Sequence, residues 1–345
     1  MLGVDISSTA VRFLELSGSG DRCRVETCGV EPLATDAVVE NQIHDVEAVA
    51  KAIAALLARV RPGTRNAAVA LPASAAITRL VEMDADLTGN DLHAQLRVES
   101  DQYFPFPADE IRLDFQVLGP VADNTERVEV LVVAARAGNV DRLADILTRG
   151  GLRPKVVDVA SFALERALRW MQPALPGMKD RETVAVFDID VAVTRLNVFH
   201  RGHAVYSRDS LSGGGRQVED IRSRYGIFAG EDQQTTEADS VSVAVGDDEE
   251  RQPASATIIE QMSRELQFFH GSTGFHKVDC ILLTGSPPTM SDLPALVQSR
   301  LGIGCSLANP FSAMTLAGRV DAGALAKGAA AMMVACGLAL RGLSQ

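Results

Sequence analysis

Two short stretches hold the residues whose types and spacing could do chemistry. Near the start, GVDISSTAVRFLEL gathers Asp5, Ser7, Ser8, Thr9 and Arg12 about the end of one apolar run. Later, FDIDVAVTRLNVF gathers Asp188, Asp190, Thr194 and Arg195 about the end of another. Laid over each other at an offset of 183 residues (188 minus 5), Asp5 falls on Asp188, Ile6 on Ile189 and Arg12 on Arg195. A strand ending in a tight turn of small residues aims backbone N–H groups outward, and such a turn can hold a phosphate. Carboxylates beside it can hold Mg2+, usually through water. Asp5 and Asp188 are the candidate metal ligands in that chemistry. Two more pieces use the same vocabulary. Gly213, Gly214 and Gly215 precede a helical pattern, and LLTGS places Gly285 and Ser286 after a late strand. Glycine tolerates positive φ and close backbone approach, and a helix N-terminus adds partial positive charge. The glycine triplet also reads as a flexible connector. One such loop alone is a weak signal; four in order, two of them repeated, are a stronger one.

The elements that must position these loops can be read from hydrophobic period. Each copy is an apolar run, an alternating strand, a turn (SGSGD at 17–21, HRGH at 200–203) and a further strand. A repeat of this length indicates a duplicated domain rather than a short-period solenoid. Residues 45–60 are apolar at helical spacing and stop before Pro62-Gly63, and 67–72 is a short buried strand. Residues 76–159 read β-α-β-β-α-β, with Thr88 as a candidate helix cap, and look inserted. The expected division is 1–75 with 160–180 as the first subdomain, 76–159 as the insert, and 181–345 as the second domain, with 212–280 its outer part. The acidic stretch 229–256 reads as a surface loop, followed by an amphipathic helix from Thr257.

Composition narrows the class. With 345 residues, 46% of them hydrophobic, the chain exceeds what a single core usually holds. A net charge of −12 argues against nucleic acid, whose binders carry a basic face. The five cysteines (Cys23, Cys28, Cys280, Cys305, Cys336) form no CxxC pair and read as buried free thiols. No secretory signal is evident, and the apolar stretch 329–340 is too short for a bilayer, which needs about 20 residues. These features lead us to expect a cytoplasmic protein with no membrane insertion of its own. The cluster YFPFP, with Tyr103, Phe104 and Phe106, is either core or the apolar edge of a groove that takes a partner's extended peptide.

The order of the loops resembles the actin-like ATPase superfamily, in which two related domains hold a nucleotide between them. The resemblance is closest to the PilM family of type IV pilus assembly proteins. It is carried by VALPASAAITRLVEM, ESDQYFPFPADEIRLDFQVLG, VEVLVVAARAGNVDR, LRPKVVDVASFALERA, ELQFF and NPFSAMTLAGRVDAGALAKGAAAMMVACGLALR. It implies an α/β fold of two actin-like, RNase H-like domains with a small inserted subdomain like that of FtsA. It also implies ATP with Mg2+ as cofactor, and capture of the N-terminal cytoplasmic tail of PilN. Other pilus inner-membrane and motor proteins would be further partners, with attachment to the inner membrane through them. Self-association is left open.

This chain departs from that family's pattern in its loops. The family's D-I-G-[ST] is here Asp5-Ile6-Ser7-Ser8, and its second D-I-G is Asp188-Ile189-Asp190. The late Gly-Gly is Gly285-Ser286 followed by Pro287 and Pro288, and no lysine follows Tyr225-Gly226. A carboxylate ~4 Å from a phosphate charge at an effective dielectric of ~20 repels it by roughly 4 kcal/mol. Asp190 can also be read as an Mg2+ ligand. The expectation is a scaffold with weak or lost nucleotide binding; an active actin-like ATPase is the alternative.

Overall fold

The computed structural model describes residues 1–19, 22–34, 36–122, 124–174, 181–190, 193–211, 248–285 and 292–343. Gly213, Gly214, Gly215, Ser286 and most of the acidic stretch lie outside them. The chain forms two units, Met1–Ala70 with Leu147–Gln345, and Leu71–Ile146.

The larger unit contains the duplication. In its first sheet the spatial order is Arg153–Val159, Asn66–Leu71, Leu2–Ile6, Ala10–Ser19 and Arg22–Pro32, with the short strand Thr315–Leu316 added beyond. In its second the order is Cys305–Leu307, Cys280–Gly285, Thr183–Ile189, Val193–His200 and His203–Leu211. The leading strand of each sheet runs antiparallel to its hairpin partner and parallel to the strand on its other side. The two halves thus share one strand order. The last strand expected in the insert, Arg153–Val159, is hydrogen-bonded in the first large sheet instead.

The run TVAVFDI lacks alternation because both its faces are buried. Val184 and Val186 join a core with Leu14, Leu164, Leu168 and Phe199, while Ala185, Phe187 and Ile189 pack with Met262 and Phe269. That second core is capped by the helix Asp248–Ser272, which begins nine residues before the expected Thr257. Good helix formers (Glu249, Glu250, Arg251, Gln252, Ala254) extend it into what looked like loop. The helix Val46–Val60 starts where Asp45 accepts from the Ala48 N–H at 2.9 Å, and it buries Val49, Ile53 and Leu56.

The smaller unit is a three-stranded antiparallel sheet in the order Ala76–Asp84, Asn124–Arg136, Ile111–Val121. Val81, Met83, Val130 and Val132 line one face and pack with Leu92 and Leu96, which sit four apart on the helix Gly89–Val98. Thr88 stands at the N-cap position, but its side chain makes no capping bond.

All five cysteines are free. Among the described residues one segment, Ala322–Arg341, is long and apolar enough to cross a membrane by length and composition, and 61% of its most apolar window is buried. One of its glycines is tightly packed. A Cβ on Gly337 would stand 1.7 Å from the Ala163 carbonyl oxygen, where this segment meets the helix Ala160–Met171. We expect Gly337→Ala to lower unfolding free energy by about 3 kcal/mol or more, read from the shift in a urea unfolding midpoint.

Candidate functional site

The two hairpins bring the repeated residues together in one register. Asp5 lies directly across from Arg12, and Asp188 from Arg195. Each turn is closed by the same backbone bond, Ser7 N–H to Ala10 O at 3.0 Å and Asp190 N–H to Val193 O at 3.0 Å. The cross-strand partners form buried ion pairs, Arg12 Nη1 to Asp5 Oδ2 at 3.2 Å and Arg195 Nη1 to Asp188 Oδ2 at 2.5 Å. The Thr284 hydroxyl donates to Asp188 Oδ1 at 3.1 Å.

Charge is concentrated here. Burial pushes the Asp5 carboxyl above the ordinary carboxylate range; Arg12 opposes the shift and the Asp188 charge adds to it. Burial pulls the Arg195 guanidinium down, and the combined attraction of Asp188, Asp190 and Asp209 more than reverses it.

The first turn uses its own side chain as an acceptor. Ser7 Oγ lies 3.2 Å from both the Thr9 and Ala10 N–H donors and accepts from Arg12 Nη1 at 2.9 Å. It also sits 3.2 Å from Thr9 Oγ1. The Ser8 N–H points across to Asp190 Oδ2 at 3.4 Å. The Ser8 hydroxyl is buried and, among the described residues, has no hydrogen-bond partner.

Gly285 ends its strand opposite Ile189 with φ of +101°, and a Cβ there would lie 2.0 Å from the Ile189 carbonyl oxygen. This position needs glycine for packing alone. Thr194 is buried across from Ile189. Asp5, Ser7, Ser8, Thr9, Arg12, Asp188, Asp190 and Gly285 therefore share one locality.

Two residues of this locality, Asn41 and Asp209, escaped the sequence reading. Glu40 and Asn41, at φ of 50° and 65°, form the tight turn of the small hairpin Val38–Val39 to Gln42–Ile43. Asn41 Oδ1 accepts from Arg195 Nη2, and its Nδ2 donates to Asp209 Oδ2 at 3.3 Å. The available signal was an asparagine between short apolar runs, since Asn tolerates this turn conformation. Asp209 carried no local signal, and Thr284 was read only as part of the late LLTGS loop; both reach the site through strand pairing.

ATP with Mg2+, which the resemblance implies and whose binding is expected to be weak or lost, would meet described hairpin donors and carboxylates that are already engaged. The N–H groups of residues 7, 8, 9 and 10 all have acceptors within the protein. Asp5 and Asp188 are each committed to an arginine. No cluster of three His, Cys, Asp or Glu suited to a metal occurs among the described residues.

The aromatic trio lies elsewhere. Phe104 is buried in the core of the smaller unit, with Tyr103 and Phe106 partly buried beside it. Tyr103 donates to Glu99 Oε2 at 2.6 Å, and this bond, with burial, pushes its phenol up to about 12. The Phe104 ring is core rather than groove wall.

Comparison with known proteins places this geometry. The sequence pattern of the family described as type IV pilus assembly protein PilM matches residues 3–343. The chain belongs to the PilM family. A solved PilM–PilN type IV pilus biogenesis complex is similar at 25% identity and a TM-score of 0.72, covering 99% of this chain and 98% of that one. The ethanolamine utilization protein EutJ from Carboxydothermus hydrogenoformans is similar in fold, at 11% identity and a TM-score of 0.51, over 98% of this chain and 88% of that one. The duplicated, actin-like α/β fold of the PilM family is thus the fold of this chain.

Arg195→Ala should lower unfolding free energy by about 3–5 kcal/mol, because it leaves Asp188 buried without its partner. Arg201→Ala, which removes an exposed pair with Glu182, should change it by less than about 1 kcal/mol. Phe104→Ala should lower it by about 3–5 kcal/mol. Urea denaturation of the three variants separates these outcomes.

Proposed function

We propose that the protein is a cytoplasmic scaffold of the type IV pilus inner-membrane assembly platform, and that it binds the cytoplasmic N-terminal tail of PilN. The observation that carries this reading is the match to a PilM solved with PilN, which extends over nearly the whole of both chains. It resides at the inner membrane through that partner. Nucleotide has no obligatory part in the interaction. Two features support this: the first hairpin's N–H groups are engaged within the protein, and the cleft holds Asp5, Asp188, Asp190 and Asp209 against Arg12 and Arg195. A polyphosphate entering there meets an excess of negative charge. Phe104 is buried in the core of the smaller unit, so the tail would meet its partly buried neighbours Tyr103 and Phe106 rather than its ring.

Calorimetric titration of the full chain with a synthetic PilN tail peptide tests the reading. The expected result is saturable binding with the same affinity in the presence and absence of ATP–Mg2+, and phosphate release at background. Binding that requires ATP, or steady phosphate release from pure protein, would contradict it.

A further inference from the structure

The two positions where this chain departs from the glycine of its hairpins are Ser7 and Asp190, and each supplies an oxygen acceptor to the same turn. Ser7 Oγ faces the N–H groups of Thr9 and Ala10, both at 3.2 Å. Asp190 Oδ2 faces the N–H of Ser8 at 3.4 Å, from the other half of the molecule. The Ser7 N–H is taken by the turn itself. A glycine at either position would leave one or two of these donors aimed into the cleft with nothing to accept from them. Open N–H groups on a tight turn after a strand are what an anion is held by. Serine and aspartate therefore do jointly, from within the chain, what a bound oxyanion does from outside.

We infer that the Asp190 carboxylate is the cleft's resident anion, held by the first hairpin in the place of a phosphate oxygen and clasping the two halves together without a ligand. This rests on the nucleotide-independent reading above and gives it a cause.

The surroundings fix where the Asp190 carboxylate sits. Asp190 is half-buried, lies within the field of Arg195, and sits on a turn fixed by its own N–H to Val193 O. At 3.4 Å the contact is longer than an ideal N–H···O bond, so its strength comes from carboxylate charge where water is partly excluded. A second bridge between the halves runs parallel to it, through Asn41 to Arg195 and Asp209. The clasp differs from phosphate in one respect that matters for function. A phosphate leaves on hydrolysis or exchange, whereas Asp190 is covalently part of the second hairpin. The cleft of this protein therefore has no nucleotide-driven opening step.

The test is a titration of wild type, Asp190→Asn, Asp190→Gly and the double variant Ser7→Gly/Asp190→Gly with fluorescent ATP and Mg2+. Thermal unfolding is run on each to establish that it folds. Wild type should bind no tighter than the millimolar range, which sets the reference limit for the variants; micromolar wild-type binding would overturn the resident-anion inference. Asp190→Gly should bind between about tenfold and about a thousandfold tighter than wild type, and the double variant tighter again. Asp190→Asn keeps size and removes charge; it should also gain affinity, so the inference stays testable if the glycine variants fail to fold. If no folded variant gains affinity, the resident-anion inference falls while the scaffold reading stands. If wild type already binds ATP saturably and hydrolyses it, both fall. PilN-tail binding by all folded variants at wild-type affinity separates the clasp from the partner site; its loss in Asp190→Asn alone would overturn their independence.

Discussion

Four carboxylates share two guanidiniums where the hairpins of the two sheets meet, and satisfying that buried charge is the constraint on which the cleft depends. Asp5 and Asp188 take one arginine each across the strand. Asp190 meets the Ser8 N–H, Asp209 accepts from the Asn41 amide, and both lie in the field of Arg195. A buried charge left without such partners is expensive, and a buried pair is strong only when its remaining hydrogen-bonding capacity is met. The duplicated fold supplies the geometry, since one register and one turn bond recur in both halves. The non-repeating residues then distinguish the two hairpins. Ser7 and Asp190 supply acceptors to the first turn, and Asn41 links Arg195 to Asp209. The Ser8 hydroxyl stays buried without a partner among the described residues.

The duplication was legible because its physical basis is local. An aspartate at the end of an apolar run and an arginine seven residues later are a cross-strand pair in any tight hairpin, so the repeat of Asp5/Arg12 in Asp188/Arg195 reports a repeated register. The roles of the loop residues were legible only in part. Ser7 was read only as a departure from the family glycine in a phosphate-type turn. What decided its role was where its hydroxyl turned, and that depends on the positions of Thr9, Ala10 and Arg12 in three dimensions. Asp190 was read as charge added beside the loop. That this charge finds a donor on the opposite hairpin needed the two sheets to be placed. Asn41 was missed because a two-residue turn between two-residue strands has almost no periodicity to read.

The insert shows the same limit in another form. The strand Arg153–Val159 has the period of the insert's other strands, yet pairs beside Asn66–Leu71, and no local pattern says which sheet an edge strand joins. Phe104 and its neighbours stood out as aromatic residues in an aromatic-poor chain. Phe104 covers the packed face of the three-stranded sheet, with Tyr103 and Phe106 partly buried beside it. The glycines at 285 and 337 are likewise explained by close packing on Ile189 and Ala163. A glycine in a ligand loop and a glycine under a neighbouring carbonyl look the same in sequence.

The claim that the first hairpin is already occupied by the protein's own oxygens is tested most directly by amide hydrogen exchange at residues 7–10, followed by NMR in nucleotide-free wild-type protein and again with ATP–Mg2+. The account predicts protected amides at Ser8, Thr9 and Ala10 without nucleotide, and no change when it is added. Fast exchange of these amides in the free protein, slowed on addition of ATP–Mg2+, would contradict it.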